Sequence, residues 1–353
     1  MTGRAAALQG GLAALGLLAA HFTWQREPER APGDVTVIDV GKNDLGSVRY
    51  EDEKLAVDVQ RRREAGDDGV WLHVVEKPPA KPEPPKDSKD PAAGKITTEP
   101  PPPETPPPRD IRGNDAAGKA LEQFAPFRSP RAFGVLDATK LKELGLDGST
   151  KKLSVTAKGD TRNYVIGQPF GAPGGEAFMR DTKDGRVYLM PRGLFADLQA
   201  IMGRMVDRRF HTFAQTDFDR IAISANGKKK EFVQLGKEKG AAAQFAPPDK
   251  LDKPDSMAKS WHDTIWRAFP MEILGKGEVP KEGTPKIVVR VDYFDGKKNV
   301  GWMELGKVTV TGANPGSSAS GELLARTEYS AGWLRLHASA QILSDAEKVV
   351  AAQ

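Results

Sequence analysis

The chain has 353 residues, 28% charged and 39% hydrophobic, with 52 Lys+Arg against 48 Asp+Glu, five His and no Cys. That length suits two or three compact units, and a mean hydropathy of −0.49 excludes a polytopic membrane protein. Without Cys there is no disulfide scaffold, Cys-ligated zinc, thiol nucleophile or lipid-modified N-terminal Cys, and a net charge of +4 spread along the chain gives no argument for nucleic acid.

Ala5 to Phe22 form the one apolar run of membrane scale. Eighteen helical residues reach roughly 27 Å, enough for a thin bilayer. Arg4 precedes the run and Trp24 follows where an interfacial aromatic would lie. The positive-inside rule then keeps the N-terminus in the cytoplasm and exports everything after Arg26. Residues 1–30 are therefore expected to be a single N-terminal transmembrane anchor in the inner membrane, with the bulk of the chain periplasmic. A cleaved signal peptide is the competing reading, although Leu18-Ala19-Ala20 is a poor cleavage sequence.

Residues 31–76 follow as a membrane-proximal β unit, because Val35–Val40, Gly46–Tyr50, Leu55–Gln60 and Val70–Val75 alternate in strand fashion. Composition then changes at Lys77: thirteen of the 27 prolines fall between Lys77 and Arg109, with no aromatic among them. Residues 77–110 are expected to be a disordered, partly polyproline linker, with a Pro-rich docking ligand as the other reading. Whether the first β unit packs on later ones or stands alone is left open.

Residues 111–248 start with a helix at Asn114–Phe124, capped by Asn114 and striped by Ala117, Leu121 and Phe124. Strands follow at Lys152–Ala157, Arg162–Gly167, Glu176–Asp181 and Arg186–Met190, with Asp184-Gly185 as a hairpin turn. A helix over Gly193–Arg208 carries Leu194, Leu198, Ile201, Met202 and Met205 on one face. Arg220–Ala225 and Glu231–Leu235 flank the turn Asn226-Gly227, before a low-complexity stretch over Gly236–Pro254.

Residues 249–353 start with a helix over Asp255–Phe269, with Met257, Trp261, Ile265 and Phe269 in register. Strands come next at Lys286–Phe294, Val300–Leu305, Lys307–Thr311, Glu322–Thr327 and Ala331–His337, then a short helix with Ser344 and Glu347 as a capping box. Helix followed by antiparallel strands, repeated, is an α+β class of tandem units. Val48–Arg61 and Phe218–Leu235 both read as strand, charged turn, strand, a weak internal repeat.

The chemistry is sparse. His21, His73, His211, His262 and His337 are scattered without H-E-x-x-H spacing, and His262-Asp263 reads as a solvent-facing pair. The S-x-x-K pairs Ser256/Lys259 and Ser149/Lys152 lack their partner motifs, and Gly316–Gly321 lacks the nucleophile-elbow spacing. Gly301, Gly306 and Lys307 match a P-loop, but Val308 stands where a hydroxyl is needed. Lys228-Lys229-Lys230 and Lys297-Lys298 read as solvated hairpin tips, with anionic lipid or envelope polymer as the functional reading. No catalytic, cofactor-binding or metal-ligating residue is assigned, no cofactor is expected, and the chain is expected not to be an enzyme. A hydrolase using scattered Asp and Glu is the least favoured alternative.

The stretch Gly69–Leu198 resembles a bacterial family of unknown function, the domain-of-unknown-function family 4340. The residues that carry the likeness are Gly69-Val70-Trp71-Leu72 with Pro78, the helix Asn114–Phe124, Phe133-Gly134-Val135 and Leu144-Gly145-Leu146. Val165-Ile166-Gly167, Gly175–Met179 and Arg186-Val187-Tyr188-Leu189-Met190 complete it, the last being the most diagnostic. The Pro-rich stretch after Trp71 departs from the family pattern, and the part after Asp249 matches only in style. The resemblance implies an N-terminal anchor, exported β-rich repeats and a gene encoded beside those of gliding-motility-type ABC exporters. The expected role is a non-enzymatic, membrane-anchored periplasmic accessory protein, an auxiliary subunit of an ABC-type exporter. The alternative is a cell-envelope scaffold that binds cell-wall polymer or an outer-membrane partner.

Overall fold

The computed structural model describes residues 34–64, 67–78, 105–170, 176–191, 193–236, 243–308, 323–337 and 341–352. Alternating apolar residues, such as Val48 and Tyr50 or Val57 and Val59, put one side chain in two on a buried face, so the chain is built mainly of strands. Ahead of the Pro-rich stretch come β1 (Val35–Ile38), β2 (Leu45–Glu51), β3 (Leu55–Glu64) and β4 (Asp67–Glu76). After it come β5 (Arg109–Gly113), α1 (Asp115–Glu122), β6 (Phe127–Ser129), β7 (Ala132–Val135) and α2 (Ala138–Glu143). β8 (Lys152–Ala157), β9 (Asp160–Ile166), β10 (Phe178–Asp181), β11 (Arg186–Leu189) and the short helices α3 (Leu194–Gln199) and α4 (Ile201–Arg204) follow. β1 and β6 pair with each other; the rest form one antiparallel sheet in the order β5-β4-β3-β2-β8-β9-β10-β11-β7.

A second sheet uses β12 (Arg220–Ala225), β13 (Lys228–Leu235), β14 (Gln244–Ala246), β15 (Pro270–Ile273), β16 (Lys286–Asp295), β17 (Lys298–Lys307), β18 (Leu323–Thr327) and β19 (Leu334–Leu336). Helix α5 (Ser256–Trp266) lies between β14 and β15 in the chain, and α6 (Gln341–Ala351) ends the unit. The strand order is β14-β13-β12-β16-β17-β18-β19-β15.

With β5 set aside, the two orders are the same. In both, a three-strand meander runs outward, a helix intervenes, and one strand crosses to the far edge. The chain then returns to the centre and zigzags back out to that edge strand. α3 begins five residues after β11 ends (Leu189 to Leu194), and α6 five after β19 (Leu336 to Gln341). The repeat legible in the sequence is the β2–β3 hairpin against the β12–β13 hairpin, equivalent strands of two tandem units.

Each sheet buries one face under helices and leaves the other polar, as antiparallel sheets do. In the first unit Val48, Tyr50, Val57, Leu72 and Tyr164 pack with Ala117 and Leu121 of α1 and Leu194 and Leu198 of α3. In the second, Ile221, Ile223, Val291, Tyr293 and Met303 pack with Trp261 and Ile265 of α5 and Leu343 and Val349 of α6. On the open faces polar pairs cross the ladders: Arg49 with Asp58, Ser154 with Asn163, and Arg290 and Arg326 with Glu304.

Several expectations are corrected. Residues 31–76 are not a separate β unit, because β2 pairs with β8 along its length, Val48 opposite Val155 and Tyr50 opposite Leu153. Residues 79–104 of the expected linker lie outside the described residues, but β4 and β5 on either side of them pair, Val74 opposite Arg109. The Pro-rich stretch therefore joins neighbouring strands of one sheet and does not separate two units. Arg109 and Asp110, inside the expected linker, start β5. The unit boundary is not at 248, because β12, β13 and β14 belong to the second sheet.

The helix expected over Gly193–Arg208 breaks at Ala200 and ends at Arg204. Beyond it Val206 bridges Gly113, and the Asp207 N–H donates to the Arg112 carbonyl, so the chain leaves the helix to follow the edge of β5. The helix expected over Asp255–Phe269 ends at Trp266, leaving Phe269 beyond it and exposed, and Met257 within it is exposed as well. Helix α6 starts at Gln341, so Ser344 is no cap; its hydroxyl donates back to the Gln341 carbonyl. At Asp184-Gly185 only the glycine has positive φ, whereas Asn226 and Gly227 both do. The expected anchor at residues 5–22 lies outside the described residues. No helix among the described residues is long and apolar enough to cross a membrane.

Candidate functional site

The histidines lie in separate environments. His73 Nδ1 is 2.8 Å from Asp110, and His211 Nδ1 is 2.9 Å from Glu328. His262 is fully buried, and the expectation of a solvent-facing pair with Asp263 is overturned. The inward face of α5 is Ala258, Trp261, His262 and Ile265, with Met257 exposed. The His262 ring lies 4.8 Å from Phe245, 5.5 Å from Trp266 and 5.8 Å from Tyr293. Neither ring nitrogen has a hydrogen-bond partner among the described residues. Burial, with His211 nearby, pulls its pKa down to about 3.

The remaining motifs are not assembled into chemistry. Lys259 pairs with Asp263 at 3.1 Å, and the Ser149 hydroxyl donates to the Ile166 carbonyl. Gly301, Gly306 and Lys307 all lie on β17, a strand without the helix that a P-loop needs. Lys230 is not a solvated tip: its ammonium donates to the Ala352 carbonyl at 2.9 Å and sits 5.1 Å from the Phe232 ring. Gly316–Gly321 lies outside the described residues.

Two concavities stand out. The first is an apolar groove of about 750 Å³ between the end of α5, the start of α6 and β15. Phe269 and Met271 open onto it at 57% and 63% exposure, with Arg267, His337 and Asp345 at its rim.

The second lies at the seam between the units. There the Arg112 guanidinium sits between Trp71 and Tyr329, 5.0 and 4.5 Å from the ring centres. The Tyr329 hydroxyl donates to Asp207 at 2.7 Å, and Arg209 grips the same carboxylate with two nitrogens. The Lys276 N–H donates to the Asp110 carbonyl at 2.9 Å, tying the strand edge of one unit to a turn of the other. Burial opposes the Asp207 charge, but the Arg209 guanidinium and N–H and the Tyr329 hydroxyl hold its carboxyl below the usual range. The stability it lends is present above its ordinary pKa near 4 and is lost as pH falls through the lowered value. Asp207→Asn is expected to lower unfolding stability by about 1–2 kcal/mol, read by urea titration at pH 7.

Beside the seam is a cleft of about 510 Å³ lined by Arg61, Arg62 and Arg63 of β3, Gly69, Gly113, Asn114, Arg209 and Tyr329. Asn114 caps α1 by accepting from the Ala116 and Ala117 N–H groups, and its amide donates to the Arg204 carbonyl at 2.8 Å. No signal in the sequence pointed to either concavity. The arginine run lies just past the strand expected at Leu55–Gln60 and carries no motif, and Phe269 falls in the expected helix over Asp255–Phe269.

No curated protein and no solved structure matches the chain. One family model does, over residues 129–265, from the end of β6 to the last turn of α5, so the match straddles both sheets. Gly69-Val70-Trp71 and the helix at Asn114–Phe124 fall before it, and it reaches well beyond Leu198, where the likeness noted in the sequence ended. Over residues 129–265 the chain matches the model of the family described as Domain of unknown function (DUF4340).

Proposed function

We propose that the chain is a non-enzymatic, membrane-anchored accessory protein of the cell envelope, an auxiliary subunit of an ABC-type exporter that works by binding. The observation that carries this reading is the apolar groove of the second unit, where Phe269 and Met271 stand in solvent beside Arg267. Large apolar side chains gathered at a concavity with a polar rim are the chemistry of a protein contact surface. The apolar run at residues 5–22 and the family resemblance direct that contact toward an exporter subunit in the inner membrane.

The test is a photo-crosslinking amino acid at position 271 in cells carrying the full chain. The reading predicts an adduct with an exporter subunit that Phe269→Glu removes. Adducts confined to wall or outer-membrane components would move the role to the envelope scaffold, and adducts with no envelope component would overturn both.

A further inference from the structure

The arginine cleft at the seam has no part in the groove-based reading and does not rest on it. Four guanidinium groups line it, Arg61, Arg62 and Arg63 from β3 and Arg209 from the connection to the second unit. The carboxylate partners of Arg61, Arg62 and Arg63 are shared or loose, whereas Arg209 is anchored on Asp207. Glu122 lies 3.3 Å from Arg61 and 3.2 Å from Lys42, and Asp110 serves both Arg62 and His73. Arg63 and Asp68 are 3.7 Å apart, with both side chains about three-quarters exposed at 74% and 79%. Exposed pairs of this kind are worth little and exchange readily for a better ligand.

The cleft wall also thins at a glycine. A Cβ on Gly69 would stand 3.4 Å from an Arg112 nitrogen and 3.7 Å from Trp71 Nε1. Trp71 is 2% exposed, and its indole N–H has no hydrogen-bond partner among the described residues. The wall therefore offers charged N–H donors with a buried neutral donor behind them. Among the described residues its carboxylates are Asp68 and Asp115, which project into solvent. Several guanidiniums on one cavity call for a ligand with more than one acceptor oxygen and more than one charge, which a phosphoryl group supplies and a single carboxylate does not.

We propose that this cleft binds a phosphoryl anion, with Arg61, Arg63 and Arg209 as its charged donors. The anion is either a soluble phosphate ester or the headgroup of an anionic phospholipid; the chemistry at the arginines is the same, and the test separates the two sources. Arg61 and Arg63 lie on the surface, so Arg61→Ala/Arg63→Ala keeps the fold, checked by an unchanged Tm.

The experiment titrates the full chain with pyrophosphate by calorimetry, and separately with phosphatidylglycerol or phosphatidylcholine vesicles by flotation. The expected result is saturable binding of pyrophosphate or of phosphatidylglycerol vesicles over phosphatidylcholine. It should weaken at least about tenfold in Arg61→Ala/Arg63→Ala and with added salt, while Lys228→Ala/Lys229→Ala binds as the parent does. Pyrophosphate binding without a phosphatidylglycerol preference identifies a soluble ester, and the reverse identifies a lipid headgroup. No binding of either probe, or binding indifferent to the arginines, overturns the proposal.

Discussion

Acidification is expected to cost the second unit roughly 5 kcal/mol of stability as pH falls from 6.5 to 3, and His262→Phe is expected to abolish that loss. The unfolded chain takes up a proton at His262 near the ordinary value of 6.5, whereas the folded chain refuses it until about 3. Above 6.5 both states are neutral and the stability is whole. Below it the unfolded state binds the proton alone, and the fold loses about 1.4 kcal/mol per pH unit.

Among the described residues no group accepts a hydrogen bond from the imidazole. Phe218, Phe245 and Trp266 present rings, and the Tyr293 hydroxyl has no partner among the described residues. Asp263 on the same helix is bonded to Lys259, and Glu328 is engaged by His211. His262→Phe leaves the His211–Glu328 pair in place, so the difference between parent and variant isolates His262. It also removes two buried polar atoms without partners, so the variant should match or exceed the parent at neutral pH. Urea titrations at pH 7.5 and 4.5 should show the parent losing roughly 3 kcal/mol more than the variant. Equal losses would refute the account.

Gly332→Ala is expected to cost about 3 kcal/mol and to loosen the seam. A Cβ there would lie 2.3 Å from the Gly275 carbonyl oxygen and 2.6 Å from that of Leu274. Both are backbone atoms, and the Leu274 N–H is already bonded to the Trp333 carbonyl, so neither can swing aside. Gly275 in turn is pressed against Arg109 of β5, where an added Cβ would stand 2.9 Å away. Thermal melts report the loss, and proteolysis between the units reports the loosening. Gly203→Ala is the control: in α4 with nothing within 4 Å of its Cβ position, it should stabilise by about 0.5–1 kcal/mol.

Much of the strand pattern was legible because apolar residues alternate strictly where one face is buried, as along Leu153, Val155 and Ala157 of β8. Asn114 was legible for a similar reason, since a side-chain oxygen that accepts a first-turn N–H marks a helix start. The pairing of β2 with β8 was not legible, because a hundred residues intervene and alternation says which face is buried, never which strand lies alongside. The short edge strands β7 and β15 were lost for want of length, and β5 because it follows prolines. The hairpin at Lys158-Gly159 escaped because lysine is not a residue that asks for positive φ, yet Lys158 has φ of 51°. At the candidate sites, Arg61–Arg63 and Phe269 carry no motif. Their meaning comes from a seam between the two sheets and a groove within the second unit, both of which exist only in the folded chain.

The arginine cleft depends on one architectural claim, that residues on either side of the Pro-rich stretch build a single sheet within the first of two tandem units. The chain has no cysteine, so an engineered pair reports on it cleanly. Ser47→Cys/Thr156→Cys places two thiols at facing positions of β2 and β8, within reach of a disulfide. A specific protease site inserted after Asp90 then allows the chain to be cut between them. The account predicts that the oxidised, cut protein runs as one linked species that separates on reduction. Two free fragments, with both thiols still reactive after oxidation, would contradict it.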